Sequence, residues 1–146
     1  MELTDNIRER MDPADRAKLP IKQRFTAKET SQRNEKKREI EMHNEFAQWL
    51  RMRKHIFEFV HADPTRRATI AKGWPDFTIF SIEPRPLLIE FKVFETGILS
   101  QDQLDRFGNL FRLHHEVFVC TSVGDAIDQV LEFFHLTTGD LDNEHE

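Results

Sequence analysis

At 146 residues, 38% hydrophobic and 32% charged, the chain has the size and balance of one globular domain with one core, and no apolar run is long enough to suggest a membrane span. The lone Cys120 excludes an intramolecular disulfide and argues against cysteine-based metal sites, and the seven His residues show no convincing zinc spacing. The net charge of −5 hides a division: residues 1–72 hold 17 Lys and Arg against 12 Asp and Glu, whereas residues 73–146 hold 4 against 14, which predicts a basic face contributed by the first half.

Residues 1–38 are polar and charged, with Pro13 and Pro20 as breakers and the basic run Lys36-Lys37-Arg38 at the end. They read as a flexible or partly helical arm, either a solvated tail or a DNA-contacting one. From about 35 to 54, Ile40, Met42, Phe46, Ala47, Trp49 and Leu50 recur at helical intervals. Glu39 and Glu41 fall in the first turns, where carboxylates suit the helix dipole. Residues 56–61 form a β-rich run, and His61 reads as a strand-end histidine rather than a metal ligand. A loop over 62–72 follows, in which Arg66, Arg67 and Lys72 are candidates for phosphate contact.

Two apolar strands are expected over 76–82 and 87–92, entered through Gly73-Trp74-Pro75-Asp76. Glu90 and Lys92 share one face of their strand and Phe91 points to the other. Charges in an apolar strand are costly unless paired or metal-bound. Asp76, Glu90 and Lys92 together therefore suggest a site for a hard cation and a phosphate; the alternative is an ion pair on an exposed edge strand. Gly97 and Ser100 mark a turn into a helix. Ser100 and Gln103 have capping-box spacing, and Leu104, Phe107, Leu110, Phe111 and Leu113 are expected to form its buried face. A strand over 117–121 and a last helix capped by Ser122 follow, with Ile127, Val130, Leu131 and Phe134 as its apolar stripe. Residues 137–146 are expected to be a disordered acidic tail. No signal-peptide pattern appears, so a cytoplasmic, intracellular protein is expected.

Pro75-Asp76 followed by Glu90-Phe91-Lys92 resembles the Pro-Asp…(Asp/Glu)-x-Lys nuclease superfamily. The surrounding segments 72–77, 88–92 and 97–103 resemble its VRR-NUC branch, over roughly 39–134. The resemblance implies a restriction-endonuclease-like α/β fold: an αβββαβ core whose mixed four-stranded sheet is flanked by helices. It makes 39–136 a nuclease domain, between the N-terminal arm over 1–38 and the acidic tail over 137–146. It implies a DNA endonuclease that uses Mg²⁺ or Mn²⁺, leaves a 5′-phosphate, and acts as a homodimer on branched or junction DNA, in repair or recombination of viral or bacterial type. Asp76 and Glu90 would hold the metal, with the Phe91 carbonyl and an acid from the 35–54 helix. The match favours Glu41 for that acid and leaves Glu39 and Glu45 open. The family often has Gln shortly after it, where this chain has His43 and Asn44. Lys92 would orient the attacking water, and Gln103 would stand close behind the site. A non-catalytic DNA-binding or scaffolding module that keeps the fold is the alternative.

Overall fold

The computed structural model describes residues 5–17, 26–62, 72–93 and 97–142. The chain divides into two units, Met1–Arg38 and Glu39–Glu146.

In the first unit, α1 (Asp5–Arg10) and α2 (Pro13–Arg16) are short. Asp12 caps α2 by accepting the Ala14 N–H, and Pro13 takes the first helical position, where its missing N–H costs nothing. Helix α3 (Ala27–Arg51) begins in this unit and ends in the second. It starts well before the expected residue 35. The reason is a reciprocal cap: the Glu29 N–H donates to Thr26 Oγ1 (3.1 Å) while the Thr26 N–H donates to Glu29 Oε2 (2.8 Å). This closes the helix end without a buried apolar face, so polar periodicity does not reveal it.

The second unit contains β1 (Glu58–His61), β2 (Phe77–Phe80), β3 (Leu87–Phe91), α4 (Gln101–Arg112), β4 (Val117–Cys120), α5 (Val123–Phe133) and α6 (Thr138–Asp142). The strands form one mixed sheet in the order β1-β2-β3-β4, antiparallel except for the parallel pair β3–β4. A parallel neighbour needs a crossover, and α4 supplies it. After the second part of α3, the order of elements is thus three strands, a helix, a strand and two helices, a mixed α/β arrangement with helices flanking the sheet.

One face of the sheet is packed with rings. Phe77 and Ile79 of β2, Leu87, Ile89 and Phe91 of β3, and Cys120 of β4 are buried against Phe46, Ala47 and Leu50 of α3 and Ala126 and Val130 of α5. Phe46 meets Phe77 edge-on at 4.9 Å and Phe91 at 5.4 Å, the favoured geometry for aromatic pairs. Leu88 and Glu90 point to the opposite face by strand alternation, and both are buried there.

Two expectations are corrected. None of the residues of α4 is buried, and Leu104, Phe111 and Leu113 are 49%, 66% and 68% exposed. Phe107 and Leu110 are half-buried, so the apolar stripe along the helix is covered only in part. The acidic tail expected from 137 onward is in part helix α6, capped through the Thr137 N–H to Asp140 Oδ2 (2.7 Å), and it buries Leu141 in the core. Among the described residues, no helix is long and apolar enough to cross a membrane.

Candidate metal centre

Local backbone chemistry brings the acids together. Gly73 has φ +76°, a conformation that a side chain disfavours, and a Cβ there would run into the Asp102 backbone at the start of α4. The chain then passes through buried Pro75 into β2. Phe77 pairs with Ile89 across β2 and β3, so Asp76 and Glu90 stand opposite each other one step further along. They are tied in both directions: the Asp76 N–H donates to Glu90 Oε2 (3.1 Å), and the Phe91 N–H donates to Asp76 Oδ2 (2.8 Å).

Glu90 is only 1% exposed. Its Oε1 lies 3.4 Å from Lys92 Nζ and also accepts from Gln103 Nε2. Burial, with the charge of Asp76 next, pushes the Glu90 carboxyl up to about 8, and Lys92 pulls it the other way. Lys92 is held by its own strand end, where its N–H donates to the Cys120 carbonyl (3.0 Å). Gly97 then folds back so closely that a Cβ would strike Lys92 Cβ and the Val93 carbonyl.

Helix α3 supplies the other wall. Glu39, His43 and Asp76 offer ligand atoms that all lie within 4.8 Å of one another. His43 is 4% exposed, with Nε2 3.1 Å from Asp76 Oδ2 and Nδ1 3.0 Å from His61 Nε2. His61 in turn stacks flat on Phe77, centroids 4.4 Å apart. Positions 39, 43, 46 and 50 recur on one helical face, and His43, Phe46 and Leu50 are its buried members.

That phase corrects the favoured helix acid. Glu41 is exposed, as is Glu45, and Glu39 is the α3 carboxylate within ligand distance of Asp76. Two residues along an α-helix turn the side chain by about 200°, so Glu41 cannot share the Glu39 face. Lys72 is exposed, and its carbonyl accepts from Arg106 at 3.5 Å. Arg66 and Arg67 lie outside the described residues. Sequence reasoning treated His43 as a departure and His61 as a strand end. The signal that identifies His43 is its i, i+4 spacing from Glu39, which puts two ligand types on one helix face.

Comparison with family models, with curated proteins and with solved structures finds no match. A test of fit for a cation comes from the donors. His43 Nε2 is buried and makes no hydrogen bond, because its contact with Asp76 lacks hydrogen-bond direction. Two carboxylates and one imidazole offer ligand atoms within 4.8 Å of one another, a donor set that suits a divalent cation. Lys92 stands on the other side of Glu90, where it can meet an anion.

Proposed function

We propose that this chain is a metal-dependent DNA endonuclease with a restriction-endonuclease-like fold, of the VRR-NUC type it resembles. The observation that carries the reading is the cross-strand tie between Asp76 and Glu90 with Lys92 Nζ 3.4 Å from the Glu90 carboxylate. Asp76, with Glu39 and His43, would hold Mg²⁺ or Mn²⁺, and Glu90 lies beside them. A bound cation of this kind lowers the pKa of a water ligand and polarises a phosphoryl oxygen.

The chain's own groups do the rest. Both Glu90 oxygens are engaged, one by the Asp76 N–H and one by Gln103 and Lys92, so the carboxylate keeps one orientation. Lys92 offers a fixed ammonium that orients a water and offsets negative charge growing on the phosphate. Exposed Lys36, Lys37, Arg38 and Lys72 provide cationic surface for the DNA backbone. A homodimer working on branched DNA completes the reading, and exposed Leu104, Phe111 and Leu113 are surface for such an assembly to cover.

The test is incubation with linear, flap, splayed and four-way DNAs in Mg²⁺, Mn²⁺ or EDTA, with the mass measured in solution. Cation-dependent cleavage that leaves 5′-phosphates, with preference for a branched substrate, supports the proposal. Salt-sensitive DNA binding without cleavage in any cation would leave a non-catalytic module.

A further inference from the structure

We propose that His43 is a metal ligand, held in its ligating tautomer by His61, and that the centre therefore prefers a first-row transition cation such as Mn²⁺ to Mg²⁺. The inference rests on the metal-dependent reading above and adds the identity of the cation.

The argument starts from one hydrogen. His43 Nδ1 and His61 Nε2 are 3.0 Å apart, so a single hydrogen lies between them. If His61 donates it, neutral His43 carries its own hydrogen on Nε2, which must then find an acceptor. Nε2 finds none: it is buried and makes no hydrogen bond, although Asp76 Oδ2 is 3.1 Å away. That oxygen already accepts the Phe91 N–H at 2.8 Å. If His43 donates instead, Nε2 keeps a lone pair that points past the Asp76 oxygen and is open to a cation ligated by both. Glu39 brings a third donor within 4.8 Å of both. The second arrangement gives the buried His43 Nε2 a role that no protein donor or acceptor supplies.

His61 then has the part of an outer partner that fixes tautomer and ring direction, as is usual around metal-bound histidines. It is itself locked by its flat stack on Phe77, and the His43 ring rests edge-on against the same Phe77 at 5.7 Å. The donor set follows from this. Mg²⁺ takes oxygen ligands and keeps much of its water, whereas imidazole suits transition cations and Mn²⁺ accepts carboxylates as well.

The experiment uses the full chain, MnCl₂ and MgCl₂. Titration calorimetry should give Mn²⁺ an affinity at least about tenfold above Mg²⁺, in line with the ligand preferences of the two ions. Pulsed electron paramagnetic resonance on the Mn²⁺-loaded chain should show a ¹⁴N coupling that changes when the histidines are labelled with ¹⁵N. His61→Phe keeps a ring on Phe77 but removes the acceptor; it should weaken Mn²⁺ by about 10–100-fold and leave Mg²⁺ within twofold. His43→Gln should abolish the coupling and bring the Mn²⁺ to Mg²⁺ ratio close to one. A Mn²⁺-loaded wild type without histidine nitrogen coupling overturns the proposal and needs no variant to fold. In that case the nuclease reading survives on oxygen ligands alone. If neither cation binds, both readings fall together.

Discussion

The two faces of the sheet are built on opposite plans. On the face toward α3 and α5, Phe77, Ile79, Leu87, Ile89 and Phe91 are buried in a continuous apolar layer. On the face toward α4, Val60, Phe80 and Val119 stay exposed, and the buried members Leu88 and Glu90 cluster at the middle strand. The first face makes the strands rigid by close packing, where even a lost methylene is felt. The second spends that rigidity on holding a buried carboxylate beside a lysine. The Glu90–Lys92 pair thus lies on the face opposite the apolar layer, whereas Glu39 and His43 reach Asp76 from α3 on the packed side, and substitutions should sort accordingly.

The largest effect is expected on the packed face. Phe46→Ala removes a ring that touches Phe77, Phe91 and Trp49, and should destabilise the chain by about 3–5 kcal/mol in urea unfolding. A loss below about 1 kcal/mol would mean that α3 is not anchored there. On the other face, Lys92→Ala should reduce cleavage by about 10²–10³-fold with a melting temperature within a few degrees of wild type. The fold tolerates it because Glu90, already pushed up to about 8, can keep a proton once the lysine is gone. Activity within threefold of wild type would remove Lys92 from the chemistry. In the same assay Glu39→Gln should lose activity more than tenfold, as expected for a metal or adjoining ligand. Glu41→Gln, on an exposed position, should stay within threefold.

A smaller effect probes the buried edge of the packed face. Burial, and next the charge of Asp125, pushes the Cys120 thiol up from 9.0 to about 11. Because the folded value lies above the unfolded one, this contribution is intact below pH 9 and is lost as the pH rises toward 11. The urea midpoint of wild type should therefore fall more steeply over that window than that of Cys120→Ala. Parallel curves would show that the thiol is wet. The smallest effect belongs to the uncovered helix: Phe111→Ser should change unfolding free energy by less than about 0.5 kcal/mol at low protein concentration. A larger loss would show that α4 is covered in solution.

Much of this arrangement is legible in the sequence. The β2–β3 pair and the meeting of Asp76, Glu90 and Lys92 follow from alternation and a short connection, which leave little freedom in register. The α4 cap was legible too, since Ser100 and Gln103 state it locally: the Gln103 N–H donates to Ser100 Oγ and the Ser100 N–H donates to Gln103 Oε1. Helix phase was not. Trp49 suggested a buried side that it only partly joins, and His43, a polar residue, joins Phe46, Ala47 and Leu50 there. An amphipathic stripe also says which side of α4 is apolar, not whether anything lies against it. Leu141 was hidden for a related reason: one apolar residue among acids carries no period, yet it suffices to dock a single turn.

Gln103 bears on how this chain can drift. Its side-chain oxygen closes the cap of α4 while its nitrogen donates to Glu90. Glutamate would keep the cap and set a second negative charge against Glu90. Lysine would answer Glu90 and lose the acceptor that the Ser100 N–H requires. Asparagine has both atoms on a stem one carbon shorter. An amide of this reach is the side chain that satisfies helix start and site charge together, so each replacement at 103 trades one against the other. A repair would then have to come from a second position, at Ser100 for the cap or at Glu90 for the charge, so the effects of substitutions at these three residues should not add.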